Sequence, residues 1–64
     1  MPSAVISNYQ YFREQQVLRI VYVSGIVYDY LAVPPGIFEE FQRAFSKGKF
    51  LNAVIKKYYE AVKV

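Results

Sequence analysis

Apolar and polar positions alternate loosely over residues 5–12, where Val5, Ile6, Tyr9, Tyr11 and Phe12 supply the apolar side chains. β-Branched and aromatic residues suit a half-buried pleated surface, so the stretch predicts a strand. Arg13-Glu14-Gln15-Gln16 is polar and predicts a turn. Val17 to Val23 reads Val-Leu-Arg-Ile-Val-Tyr-Val, a second strand, and Ile26 to Leu31 a third. The short Ser24-Gly25 punctuation between them predicts a hairpin.

Hairpin register decides which side chains share a face. A two-residue Ser24-Gly25 loop sets Tyr22 across from Val27 and puts Asp29 on the face of Leu18 and Ile20, burying a carboxylate. A three-residue loop with Gly25 in a left-handed bulge shifts the pairing by one. Leu18, Ile20, Tyr22, Tyr28 and Tyr30 then share one face, and Asp29 falls on the other, diagonal to Arg19. An unpaired buried carboxylate is costly, which favours the second arrangement.

Val33-Pro34-Pro35-Gly36 ends the strands, because proline cannot continue a ladder but suits the first turn of a helix. Apolar residues then recur at Ile37, Phe38, Phe41, Ala44 and Phe45, a helical spacing. Glu39 and Glu40 in the first turns and Arg43 near the end suit the helix dipole. Ser46-Lys47-Gly48-Lys49 breaks the pattern. A second helix carries Phe50, Leu51, Val54, Ile55, Tyr58 and Val62. The expected architecture is α+β: one domain over residues 1–64, a three-stranded antiparallel sheet followed by two helices packed on one face (βββαα).

Composition narrows the function. The 64 residues include no cysteine and no histidine. That excludes a disulfide framework, thiolate zinc sites and the usual neutral-pH general base. Glu39 and Glu40 are neighbours on a helix and diverge by about 100°, so they cannot act as a facing pair. Glu14 and Asp29 sit on separate elements, and Ser7, Ser24 and Ser46 have no histidine to activate them. Carboxylates do not cluster as a metal site requires. The expectation is a non-enzymatic module with no cofactor and no metal. Apolar residues make up 55% of the chain and aromatics 19%, more than so small an interior easily hides, so part of that surface should face a partner. The longest apolar runs, such as Ile20-Val21-Tyr22-Val23, fall far short of the ~20 residues of a membrane span. Met1-Pro2-Ser3-Ala4 lacks the pattern of a secretory signal, so the expected compartment is the cytoplasm.

The residues resemble the KTSC domain family, named for the C-terminus of some lysyl-tRNA synthetases and also found as free-standing small bacterial proteins. The resemblance rests on Leu18, Ile20 and Tyr22, then Gly25, then Tyr28-Asp29-Tyr30, then Val33-Pro34. It continues through Ala44, Ser46, Gly48, Phe50, Asn52, Ile55 and Tyr58, and so spans Ile6 to Tyr58. The family often shows Gly-Tyr-Asp near the start, where this chain has Gln10-Tyr11-Phe12. The synthetase context implies contact with RNA.

Charge gives that implication a surface. The net charge is +3, and all of it lies in residues 34–64. Between Arg43 and Lys57 there are five basic residues and no acidic one. Lys49, Asn52, Lys56, Tyr59 and Lys63 recur at helical spacings of three and four and so share a face. Arg43, Lys47, Lys49, Lys56 and Lys57 are the candidate phosphate contacts on RNA, tRNA-like, or another polyanion; Asn52 and Tyr59 are the candidate sugar or base contacts. The competing reading is a solvated face that keeps an apolar protein soluble. Ser46-Lys47-Gly48-Lys49, ahead of a helix, could hold a small anion. Its competing reading is a turn capped by Ser46, freed by Gly48 and pinned by Asn52. Tyr28 and Tyr30 are candidate stacking residues, with burial and rim hydroxyls as the stronger reading. The opposite sheet face offers Val17, Arg19, Val21, Val23, Val27, Asp29 and Leu31. So apolar an outer face predicts self-association, a homo-oligomer or other protein-interaction module as the alternative function.

Overall fold

The computed structural model describes residues 6–64; Val5 of the predicted first strand lies outside them. Strand β1 (Ile6–Phe12) pairs antiparallel with β2 (Val17–Tyr22), and β2 with β3 (Val27–Tyr30). Tyr11 faces Leu18 and Leu18 faces Tyr30; Tyr9 faces Ile20 and Ile20 faces Tyr28. These six share one side of the sheet, as the period-2 geometry of a strand requires. The hairpin takes the three-residue loop. The Tyr22 amide donates to the Ile26 carbonyl at 2.9 Å, the Gly25 amide donates to the Tyr22 carbonyl at 2.8 Å, and Gly25 has φ +95°. Only glycine enters that region without strain.

Asp29 is not diagonal to Arg19 but directly across from it. The guanidinium Nε donates to Oδ1 at 2.8 Å and a second nitrogen to Oδ2 at 3.0 Å, a two-pronged ion pair on the outer face. The hydrogen bonds to Asp29 raise the arginine pKa above its ordinary value.

Helix α1 (Pro35–Arg43) starts after Pro34, with Pro35 in the first turn. It begins two residues earlier than the apolar repeat, so Glu39 and Glu40 lie beyond its first turn. Phe38 and Phe41 point at the sheet. Tyr11 stacks on Phe38 at 4.4 Å, and Tyr9 meets Phe41 edge-on at 5.1 Å. With Leu18, Ile20, Tyr30, Val33, Leu51 and Ile55 they form the core. Full burial of each such side chain contributes roughly 1.5–3 kcal/mol. Val33 is also held by its backbone: its amide donates to the Gln16 carbonyl, and its carbonyl accepts from the Tyr11 hydroxyl at 2.6 Å.

The second helix is composite. A short α2 (Lys47–Phe50) runs into a π-helical stretch (Leu51–Ile55) and then α3 (Lys56–Tyr58). Ser46 caps it, its hydroxyl accepting from the Lys49 amide at 3.3 Å. Gly48 is buried and helical rather than in the left-handed region. Asn52 is exposed and makes no hydrogen bond to the turn among the described residues.

Two expectations fail at the chain's end. The helix stops at Tyr58, and Tyr59 is extended at φ −123°, ψ 140°. Ala61–Lys63 then form a fourth strand, β4, antiparallel to β3, with Val62 across from Asp29. The sheet is four-stranded in the order β1-β2-β3-β4, so Val62 and Lys63 leave the helix altogether. Three residues are too few to give a distinct sequence period, and Tyr58 and Val62 happen to fit the helical one. Phe45 also escapes its expected place: Ala44 is extended at ψ 135°, so α1 has ended and the Phe45 ring is fully exposed. Among the described residues no helix is long and apolar enough to cross a membrane.

Candidate functional site

The sheet face covered by the helices is not covered to its end. Beyond the core, the β2–β3 hairpin and the end of the composite helix together line a cleft of about 570 Å³. Tyr22, Tyr28 and Tyr30 line one side, with Val23, Ser24 and Ile26 from the hairpin turn. Ala61, beside Tyr30 on β4, extends that side, and Lys56 and Tyr59 complete the lining.

Each side chain arrives by a local rule. The Gly25 bulge sets the register that brings Tyr22 onto the side of Tyr28 and Tyr30. The three rings then make a shallow aromatic floor. Tyr22 and Tyr28 meet edge-on at 5.9 Å and 85°, and Tyr28 and Tyr30 lie tilted at 6.5 Å. The Tyr22 and Tyr30 hydroxyls share a 2.7 Å hydrogen bond. Tyr30 is 2% exposed. Burial, and then the bond to Tyr22, hold its phenol well above the ordinary tyrosine range, so it stays protonated.

The rest of the lining depends on the π-helical stretch. The Lys56 amide donates to the Leu51 carbonyl, five residues back, where an α-helix would reach four. One extra residue in the turn rotates the downstream residues by about 100°. Lys49 and Lys56 therefore do not share the helical face expected of them. Instead, Lys56 comes to the cleft. Tyr59 joins it because the chain turns extended there, and the ladder resumes when the Leu31 amide donates to the Glu60 carbonyl at 2.8 Å.

Of the residues singled out for nucleic acid, the structure brings Lys56 and Tyr59 to the cleft. It leaves Arg43, Lys47, Lys49, Asn52 and Lys57 outside it. Arg43, Lys49, Asn52 and Lys57 are exposed, and Lys47 is half-buried. The Lys57 ammonium lies 5.8 Å from the Tyr58 ring centroid. Arg19–Asp29 is the one ion pair among the described residues, so none of these cations is neutralised by a carboxylate. Among the motif residues, Leu18, Ile20 and Val33 are core, Gly25 is the bulge, Pro34 and Ser46 are helix caps, and Phe50 packs on Phe41 at 6.2 Å. Sequence reasoning missed Ser24, Ile26 and Ala61 as lining residues and Phe45 as an exposed ring, with no periodic signal to mark them, and it placed Val23 on the outer face, whereas past the end of β2 Val23 lines the cleft. Among the described residues, no group of three acidic or other metal-ligating side chains converges.

On the outer face, a smaller hollow of about 180 Å³ lies between Phe12, Gln15, Val17 and Asp29. The Arg19 guanidinium sits 5.2 Å from the Phe12 ring centroid beside it.

Known proteins share this chain's pattern. A lysine-tRNA ligase of Nostoc punctiforme is 42% identical over 53 residues, which cover 83% of this chain but 9% of the ligase. A protein of Tsukamurella paurometabola is 33% identical over 94% of this chain and 90% of its own length. The crystal structure of a KTSC domain protein from Yersinia pestis superposes with a TM-score of 0.91 at 31% identity, covering all of this chain and 90% of that one. The KTSC domain model matches residues 2–59. With sequence, fold and motif in agreement, the chain belongs to the KTSC domain family.

Proposed function

We propose that this KTSC domain is a non-enzymatic module that binds RNA. The observation that carries the reading is the cleft, where Lys56 and Tyr59 meet the aromatic floor of Tyr22, Tyr28 and Tyr30. Aromatic rings accept unstacked bases and lysines hold phosphates, and single-stranded RNA is recognised by that combination. Arg43 at the end of α1 and Lys47, Lys49 and Lys57 on the composite helix, free of carboxylate partners among the described residues, extend the positive surface. The similar segment in a lysine-tRNA ligase supplies a setting in which tRNA is at hand.

Titration of labelled tRNA at rising salt tests the proposal. Each phosphate contact on a single strand contributes about 0.7 to the slope of log affinity against log salt. The Lys47→Ala, Lys49→Ala double variant should therefore flatten the slope by up to about 1.4. Weak binding at low salt that ignores these lysines would sink the proposal.

A second reading, self-association, has its own support on the outer sheet face. Val17, Val21 and Val27 are half-buried there, Val62 is exposed, and together they surround the Arg19–Asp29 pair. A pair with one charge of each sign complements itself across a two-fold axis, so a second copy of the chain fits this face. Light scattering over a dilution series should show a dimer that Val21→Lys dissociates. A strict monomer at all concentrations would exclude it.

A further inference from the structure

We infer that the cleft receives one unstacked nucleotide and prefers a carbonyl-rich base, uracil above all, with its phosphate on Lys56. The inference rests on the RNA reading and narrows it to a base class.

Size comes first. A cleft of about 570 Å³ lies inside the roughly 300–1,000 Å³ range of small-molecule sites, large enough for a mononucleotide and too small for a helix. Its walls are mainly rings and aliphatic carbon, which suits a flat aromatic guest. The polar groups on those walls then select the guest. Lys56 has three N–H donors and accepts nothing. Tyr22 and Tyr30 share one hydrogen bond, which uses one of their two hydroxyl hydrogens and leaves the other to donate outward. Ser24, Tyr28 and Tyr59 add hydroxyls that can turn either way. Among the described residues no lining side chain is a carboxylate or an amide, so none of those side chains is obliged to accept. Asp29, the nearest acid along β3, faces the opposite side of the sheet.

A donor-rich wall matches acceptors. Uracil offers two ring carbonyls, whereas adenine presents an exocyclic amine at the corresponding edge. A buried polar group left without a partner is what separates such ligands. The burial that keeps Tyr30 protonated supports the same conclusion, since an ionised phenol would accept rather than donate.

The experiment titrates the intact chain with UMP, uridine, AMP and inorganic phosphate, followed by the tyrosine ring resonances in NMR. UMP should shift Tyr22, Tyr28 and Tyr59 and bind about tenfold tighter than AMP, a difference of about 1.4 kcal/mol. Uridine should bind more weakly than UMP, and phosphate alone should leave the rings unmoved. Lys56→Gln should reduce UMP to the uridine level without changing uridine. Tyr59→Phe guards against misfolding and should retain stacking, whereas Tyr59→Ala should weaken both ligands. Equal affinity for UMP and AMP, shifts away from the cleft, or a Lys56→Gln variant that binds UMP unchanged would each overturn the inference. RNA binding without UMP binding overturns the cleft assignment and leaves the RNA reading standing. UMP binding without RNA binding supports the pocket and overturns the RNA reading.

Discussion

Replacing Phe45 with serine should leave the fold standing, whereas truncating Phe41, four residues earlier, should come close to abolishing it. Phe41 is fully buried, with the Tyr9 ring 5.1 Å away, Phe50 at 6.2 Å and Phe38 at 6.5 Å. Removing such a ring to alanine costs about 3–5 kcal/mol, from lost transfer free energy and the cavity left behind. A 64-residue domain has roughly 3–10 kcal/mol in total. Phe41→Ala therefore removes a third of the stability at best and all of it at worst. Phe45 is fully exposed and has no ring neighbour among the described residues, so Phe45→Ser should stay within about 0.5 kcal/mol of the parent. In a domain this small, each kcal/mol moves Tm by about 4–8 °C. Far-UV circular dichroism during thermal and urea unfolding reads both variants. The expected outcome is a shift under about 4 °C for Phe45→Ser and a collapsed or absent transition for Phe41→Ala. A drop beyond about 8 °C for Phe45→Ser at high dilution would refute the reasoning, because it would mean that the ring is packed within a single chain.

Further variants probe named features. Above about pH 10, unfolded Tyr30 ionises while the folded phenol, raised by burial and by Tyr22, keeps its proton; stability should therefore hold below that pH and fall as pH climbs through the alkaline range. Tyr30→Phe should make that fall shallower in urea midpoints measured against pH, and an unchanged slope would contradict the assigned protonation. Gly25 and Gly36 should respond oppositely to alanine. Gly25→Ala should destabilise by about 1–2 kcal/mol through backbone strain alone, since no described residue lies within 4 Å of the added carbon. Gly36→Ala, in open space at the start of α1, should stabilise by about 0.4–1 kcal/mol. Equal effects of the two in the same urea series would overturn the loop assignment.

How far the sequence reveals this molecule differs by element. The hairpin register is legible because one alternative buries Asp29 and the other does not, and because Gly25 permits the bulge. The position of Asp29 relative to Arg19 is legible only to within one residue, the tolerance of a face argument. The α1 core is legible through Phe38 and Phe41, but the repeat that marks them runs on into Phe45 after the helix has ended. β4 leaves no sign of its own, because a three-residue edge strand draws its stability from β3 rather than from its own pattern. The cleft is half legible. Lys56 and Tyr59 stand out by their chemistry, and Tyr22, Tyr28 and Tyr30 as motif positions. That the two sets meet depends on a π turn, for which residue types give no cue.

That turn has an evolutionary consequence. Its extra residue acts as a spacer, so deleting one position within 52–54 would restore ordinary winding and swing everything after it by about 100°. The ammonium would leave the phenols without any change in the amino acids that line the pocket. On the proposed function, an indel there would give or remove the lysine contact, and segment length would be a better guide to shared binding than the identity of the tyrosines.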